Sequence, residues 1–396
     1  MMTVVTLVDR LVAGGAERIA AQVAAGLDAD RFRSIICVSR WSEQSRDAAA
    51  VAQRAALETA GLRVLALGRR GRADVLSWRA LTAVLRGSRA DVLHAHMFGS
   101  NVWASVLGPA CGVPLVLAHD HGLPRRHQST FERVVTRAVV ARGATCLVAV
   151  SEADRARMVA EGLPGERILV VPNGVSSPAG VCDRAAARAR LGIATDVPLA
   201  VAVGRLHAVK AFDVLLRAAE PLRRLVPGAR VLVAGEGPER PRLEALRDEL
   251  GAGDVVRLLG RREDVWDLLA ACDVTVSCSH SEASPLAIME YMGAGRATVA
   301  TAVGGVPEVV RDGVEGVLVM PDDPEALAFG LAALLDDPQR ADALGAAART
   351  RQVERFSLSA AISRLEAIYE GGGLPDRLAV RSAAGTRETS GPTAPR

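Results

Sequence analysis

Lysine is almost absent from this 396-residue chain: of 48 lysines and arginines only Lys210 is a lysine. Where cations serve only solubility the chain uses arginine. A lone ammonium therefore points to a site that wants a compact, strongly hydrated point charge rather than a planar fork. Phosphate oxygens are the commonest partner of that kind. The plainer alternative is one leftover surface lysine in an arginine-biased sequence. The net charge of +3 is too small for a nucleic-acid protein that relies on a global basic field. No apolar run reaches the roughly 18 to 20 residues that cross a bilayer, which excludes a spanning helix. The six cysteines (Cys37, Cys111, Cys146, Cys182, Cys272, Cys278) form no C-x2-C pair and no cluster with histidine. Buried reduced thiols in a cytoplasmic protein are expected, and no metal site. Aromatic residues are scarce at 3%, and a hydrophobic fraction of 49% fits a soluble globular protein.

Short Val/Ile/Leu runs alternate with longer Ala/Arg/Glu-rich segments of helical period. Met2-Thr3-Val4-Val5-Thr6-Leu7-Val8 meets Asp9-Arg10 at once, so it reads as a first buried strand rather than a signal sequence. Strands are predicted at 3–8, 33–38, 63–67, 91–95, 114–118, 145–150 and 167–171, with helices between them at 16–27, 74–88, 99–110, 131–142 and 152–161. The pattern restarts with strands near 198–203, 230–234, 255–259, 273–277, 297–301 and 315–319. Continuous apolar strands separated by helices mean parallel sheets covered on both faces. The expected fold is therefore α/β, two doubly wound Rossmann-like domains facing across a cleft, with ligands beyond the carboxyl ends of the strands. The Pro/Gly/Ser stretch from Pro172 to Gly180 marks the break. The expected division is 1–175, a linker region 176–192, a second domain 193–356, a helix 357–371 packing back on the first domain, and a disordered tail 372–396.

The chemistry concentrates in Ser281-Glu282-Ala283-Ser284-Pro285-Leu286-Ala287-Ile288-Met289-Glu290. Ser284 then Pro285 reads as an N-cap followed by an N1 proline. The helix would begin at the carboxyl end of the strand 273–277 and point free N–H groups into the cleft, an anion site. Glu282 precedes that helix tip and Glu290 lies inside the helix. Carboxylates that touched the anion would repel it. They fit if each accepts hydroxyl hydrogen bonds on either side of a phosphate group, a sugar on one side and a ribose on the other. That describes a nucleotide-sugar. A loop glutamate and an ordinary helix glutamate are the alternative.

The spacing Glu282-x7-Glu290, with Gly204-Arg205-Leu206-x3-Lys210 upstream, resembles the retaining nucleotide-sugar glycosyltransferases of family 4, which have the GT-B fold. Four other stretches are also similar to the family: Gly14-Gly15-Ala16-Glu17-Arg18, Val171-Pro172-Asn173-Gly174-Val175, the segment Val231 to Arg240, and Gly304-Gly305-Val306-Pro307-Glu308. The resemblance covers about residues 3 to 371. It implies that Arg205 and Lys210 grip the donor diphosphate, that Glu290 accepts from the ribose hydroxyls, and that Glu282 holds the donor sugar. Ser284, Pro285 and Leu286 would sit against the distal phosphate, and Gly14 and Gly15 would let backbone approach donor or acceptor. No metal or other cofactor is implied. Two departures stand out: the glycine usual after the lysine is Ala211, and the usual Glu-Gly is Glu282-Ala283.

His94, His96, His119 and His121 lie at two cleft-facing strand ends. The resemblance places one histidine near the donor sugar, with His121 favoured over His119. The stretch Arg125-Arg126-His127 and the following helix form a candidate contact with anionic lipid at the inner membrane face, a solvated helix face being the plainer reading. The expected acceptor is a saccharide, a lipid-linked saccharide or a glycolipid in polysaccharide biosynthesis, with a small natural product as the alternative. Gly235-x-Gly237 hints at a dinucleotide oxidoreductase, but Arg240 replaces the third glycine. An epimerase or a non-catalytic nucleotide binder of the same fold remains a rival, because fold alone does not fix function.

Overall fold

A computed structural model describes residues 1–11, 15–41, 48–71, 74–122, 129–178 and 183–373. Thirteen strands form two wholly parallel sheets. The first holds β1 Met2–Val8, β2 Phe32–Val38, β3 Arg63–Ala66, β4 Val92–His96, β5 Leu115–His119, β6 Cys146–Ala149 and β7 Ile168–Val170, in the order β3-β2-β1-β4-β5-β6-β7. The second holds β8 Leu199–Val203, β9 Arg230–Ala234, β10 Val256–Gly260, β11 Val274–Ser277, β12 Ala297–Thr301 and β13 Gly316–Val319, in the order β10-β9-β8-β11-β12-β13. Every strand run predicted from apolar continuity is a strand, with ends shifted by a residue or two. The strands are buried on both faces, as all-parallel sheets require. Strand order reverses between β1 and β4 and between β8 and β11, the switch points at which such sheets open a crevice.

Helices depart more from the sequence reading. The segment predicted as one helix over 131–142 is Thr130–Val135, then a π-helical turn Thr136–Val140, then Ala141–Gly143. The helix predicted from 74 begins at Trp78. The tail beyond Gly373 and the stretch Arg125-Arg126-His127 lie outside the described residues, as do Gly14 and Cys182. The other five cysteines are free thiols, and burial pushes Cys37, Cys146, Cys272 and Cys278 up to about 12.

The glycines of Gly235-x-Gly237 have a packing role. A Cβ on Gly235 would lie 1.8 Å from the carbonyl oxygen of Gly204, and one on Gly237 would lie 2.3 Å from that of Leu206. They let the β9 turn lie against the loop after β8, which accounts for the motif without a dinucleotide.

The helix Leu358–Gly371 packs on the helix Gly15–Gly26 and completes the core of the first sheet, its Ile362, Leu365, Ile368 and Tyr369 joining Val4, Ile19, Leu117 and Val148. The Tyr369 hydroxyl lies 2.7 Å from Nδ1 of His94, and Nε2 of His94 lies 3.1 Å from Nδ1 of His119. Nδ1 of His96 lies 3.0 Å from Nε2 of His121. The rings stack, with centroids 4.3 Å apart for His119 and His121. Burial holds these imidazoles neutral: it pushes His94 down to about 3 and His121 down to about 4, and puts His96 and His119 well below the usual range. An unfolded imidazole takes a proton below about pH 6.5 while the folded one resists it. Stability is therefore complete above that pH and falls as the pH drops towards the folded values, by about 1.4 kcal/mol per pH unit for each such histidine. Urea titrations from neutral pH down to about pH 5 should show this slope, and His94→Gln should make it shallower; an equal slope in the variant would refute the neutral buried cluster.

Candidate active site

The loop after β8 and the loop after β11 meet at the carboxyl edge of the second sheet. After β8 the chain runs through Gly204 and exposed Arg205, which makes no ion pair among the described residues, into a 3-10 turn Ala208–Lys210. The turn ends at Ala211, whose φ of 49° and ψ of 39° place it in the left-handed region. A glycine would hold this conformation at less cost. Alanine nevertheless adopts it here, so the departure from the family pattern leaves the loop geometry in place. Ala283, the other departure, has no positive φ.

Lys210 folds back over Gly204 and donates from Nζ to Oε1 of Glu282 at 2.5 Å. The same carboxylate oxygen accepts from Oγ of Ser279 at 2.7 Å. Ser279 in turn is held by its carbonyl, which accepts from Thr301 Oγ1 at 2.6 Å. The Lys210 and Glu282 side chains are 22% and 12% exposed, so the pair is shielded but open on one side. Val203, Lys210, Ser279, Glu282, Pro285 and Ile288 line one recess. The first cation and the first carboxylate singled out in the sequence are thus direct partners.

The helix tip differs from expectation. The helix is Leu286–Gly293, Pro285 occupies the cap position, and no side chain caps it. Ser284 is therefore not the N-cap: its Oγ is buried without a protein hydrogen-bond partner, because the proline falls at the cap itself and moves the first turn on by one residue. The tip thus keeps uncapped N–H groups, which favour an anion. Tyr291 anchors the helix to the end of β8, its hydroxyl accepting from the Val203 N–H at 2.6 Å.

Glu290, one turn into this helix, accepts from Arg18 of the helix Gly15–Gly26 at 2.8 Å. This contact joins the two sheets' domains, and sequence reasoning missed it; the Gly-Gly-Ala-Glu-Arg loop was its only signal. Gly15 approaches the same tip, where a Cβ would stand 2.9 Å from Cδ1 of Leu286. Gly122 faces Ala283, whose Cβ would be 2.0 Å from an added methyl. Beside it, half-buried His121 lies at the mouth of the cleft, whereas His119 is buried and bonded to His94. His94, His96 and His119 bring ring nitrogens within 4.8 Å of one another, but hydrogen bonds engage both nitrogens of His94, leaving that ring no free lone pair for a metal.

A second missed contact holds the halves together. The Glu308 carboxylate accepts from the backbone N–H groups of Glu152 and Ala153, both at 2.8 Å, at the tip of the helix Glu152–Ala160.

Comparison with known proteins agrees with this geometry. The profile of Glycosyltransferase Family 4 matches residues 13–177, and that of Glycosyl transferases group 1 matches residues 183–351. The chain is 36% identical over 311 residues to the D-inositol 3-phosphate glycosyltransferase of Thermobispora bispora, covering 72% of each chain. It is 32% identical over 301 residues to the alpha-D-kanosaminyltransferase of Streptomyces kanamyceticus, covering 71% of this chain and 78% of that one. In fold it resembles Anabaena HepE, solved in complex with UDP-glucose, with a TM-score of 0.78 at 22% identity over 92% of this chain and 98% of that one. With its two facing parallel sheets and its paired motifs, the chain belongs to the family 4 retaining nucleotide-sugar glycosyltransferases of the GT-B fold.

Proposed function

We propose that the chain moves a sugar from a nucleoside-diphosphate donor onto a hydroxyl of a small polyhydroxylated acceptor. The observation that carries the donor half is the Lys210–Glu282 pair beside an uncapped helix tip. As the glycosidic bond breaks, negative charge develops on the distal phosphate. Arg205, Lys210 and the backbone N–H groups from Leu286 onward are fixed donors for that charge, so the residues themselves supply the cationic stabilisation and the reading assigns no metal. Ser284 Oγ, buried without a protein partner, adds a donor at the same tip. Lys210 holds one oxygen of Glu282 and leaves the other to orient the transferred sugar. Glu290 takes the ribose hydroxyls, and Arg18 ties that carboxylate to the opposite domain. His121 faces the sugar as a neutral imidazole, and the donor phosphate accepts the acceptor's proton.

A small acceptor is supported by the names of the relatives, one acting on D-inositol 3-phosphate and one transferring a kanosaminyl group. A lipid-linked acceptor is the second reading, favoured by Phe131 and Val134, exposed to 71% and 57% on the helix that carries Arg133. No helix among the described residues is long and apolar enough to cross a membrane, so such contact would be peripheral.

Lys210→Arg keeps the charge but replaces a point donor by a wide fork. Affinity for the nucleoside diphosphate should fall by about 1–2 kcal/mol, and unchanged affinity by calorimetry would remove Lys210 from the phosphate. The two glutamates should separate. Glu290→Gln should weaken free nucleoside diphosphate and nucleotide-sugar alike, by about 1.5–3 kcal/mol. Glu282→Gln should leave free nucleoside diphosphate binding nearly intact while turnover falls roughly ten- to hundredfold, because a misaligned sugar loses its near-attack geometry. If Glu282→Gln instead weakened the free nucleotide as much as Glu290→Gln, these two assignments would be wrong.

A further inference from the structure

The helix Gly15–Gly26 of the first domain meets the helix Leu286–Gly293 of the second at two points. Gly15 and Arg18 stand three residues apart on one helix, Leu286 and Glu290 four apart on the other, so each pair shares a face. A Cβ on Gly15 would stand 2.9 Å from Cδ1 of Leu286, and Leu286 packs against the core of the first sheet. One turn further along, Arg18 donates from Nη2 to Oε1 of Glu290 at 2.8 Å. Close approach at the glycine brings the arginine within reach of the carboxylate.

Glu290 needs this partner for an electrostatic reason. It lies four residues, about 6 Å along the axis, from the uncapped tip that favours an anion. That is less than the Debye length of about 8 Å at physiological ionic strength, and a side chain only 15% exposed is screened less still. An unpaired Glu290 would therefore repel the diphosphate that the tip attracts. The lysine of the second domain is bonded to Glu282, and among the described residues Arg18 is the one cation paired with Glu290. The bond takes Oε1 alone, and Oε2 has no partner among the described residues. The pair is thus neutral overall and keeps an oxygen that can accept a hydroxyl.

We propose that Arg18 is a positioning residue for the donor: from the opposite domain it neutralises Glu290 and fixes one of its oxygens, so that the other can take a ribose hydroxyl beside the diphosphate. The inference rests on the transferase reading above, in which Glu290 meets the ribose, and adds the residue that makes a carboxylate compatible with the phosphates. It makes nucleotide affinity a property of both domains, because the cation is delivered only where the two helices touch. Since one N–H makes the contact, a lysine at this position can replace the arginine, in contrast to a site that needs a bidentate fork.

The test is a calorimetric double-mutant cycle on the full chain, with UDP, GDP and ADP as probes and the tightest binder carried forward. The Arg18 side chain is 42% exposed, so its truncation opens no cavity. Arg18→Ala should weaken that nucleoside diphosphate about tenfold, whereas Arg18→Lys should stay within about threefold of the native protein. Glu290→Gln should weaken binding on its own but cause no further loss in the Arg18→Ala background, because an amide does not repel the diphosphate. Losses that simply add would mean that the two side chains act independently, and would overturn the proposal. Unchanged or tighter binding by Arg18→Ala would overturn it too, the latter by showing a guanidinium that blocks the ribose. So would an equal loss in Arg18→Lys and Arg18→Ala, since charge would then not be what matters. Failure of Glu290→Gln alone to weaken binding would instead remove Glu290 from the ribose, and failure of all three nucleotides to bind would remove the donor site; both are read from arms in which Arg18 is intact.

Discussion

The Glu308 carboxylate at the tip of the helix Glu152–Ala160 is the contact on which the cleft's geometry depends. A helix tip has N–H groups with no partner inside the helix, and here a residue from the other domain supplies the acceptor. The favourable charge at the helix terminus adds to the two hydrogen bonds. Close approach is possible because the neighbouring positions lack side chains. A Cβ on Gly305 would meet the Ala283 carbonyl oxygen at 2.2 Å and the Ser151 Cβ at 3.1 Å, and Gly304 packs as tightly on Glu282. The same glycine turn therefore seats the Glu282 loop and brings Glu308 across the cleft. The placement of the Glu282 loop and the apposition of the domains are set by one short segment.

Much of this was legible in the sequence. Parallel strands buried on both faces leave continuous apolar runs, and all thirteen stood out for that reason. Glu282, Glu290 and Lys210 were legible because their types and spacing are unusual for a loop and a helix tip. The pairing of Lys210 with Glu282 was not, since nothing local records which of several acceptors an ammonium will choose. Arg18 with Glu290 and His94 with Tyr369 join residues more than 250 positions apart. Such contacts are decided by how whole layers stack. The helix start was misread by one residue because a serine before a proline is a good local cap signal, whereas here Pro285 itself takes the cap position. The π-helical turn within 136–140 lies against the helix Phe98–Ala110 and leaves no mark on periodicity.

The histidine cluster and the ion pairs around Arg157 divide the strand ends of the first sheet into two electrostatic regimes. Inward, the imidazoles are stacked, neutral and bonded to one another and to Tyr369. Outward, next to His121, Asp120 joins Asp154 and Glu161 around the one guanidinium of Arg157. Asp154, buried in that group, is pushed up to about 6 by burial and by the neighbouring Asp120. The strand ends of the first sheet thus carry this carboxylate group, while Arg205 and Lys210 stand on the loop after β8 of the second.

The helix Leu358–Gly371 follows both sheets in the chain, yet its side chains fill the core beneath the first one. During synthesis the strands β1 to β7 emerge first, but Val4, Leu117 and Val148 cannot be fully covered until residues 362–369 have left the ribosome. Domains usually close as they emerge. Here the earlier one must wait, partly open, while the later one is made. For that interval the apolar face that this helix covers is open, and transiently exposed apolar surface is where association between nascent chains begins.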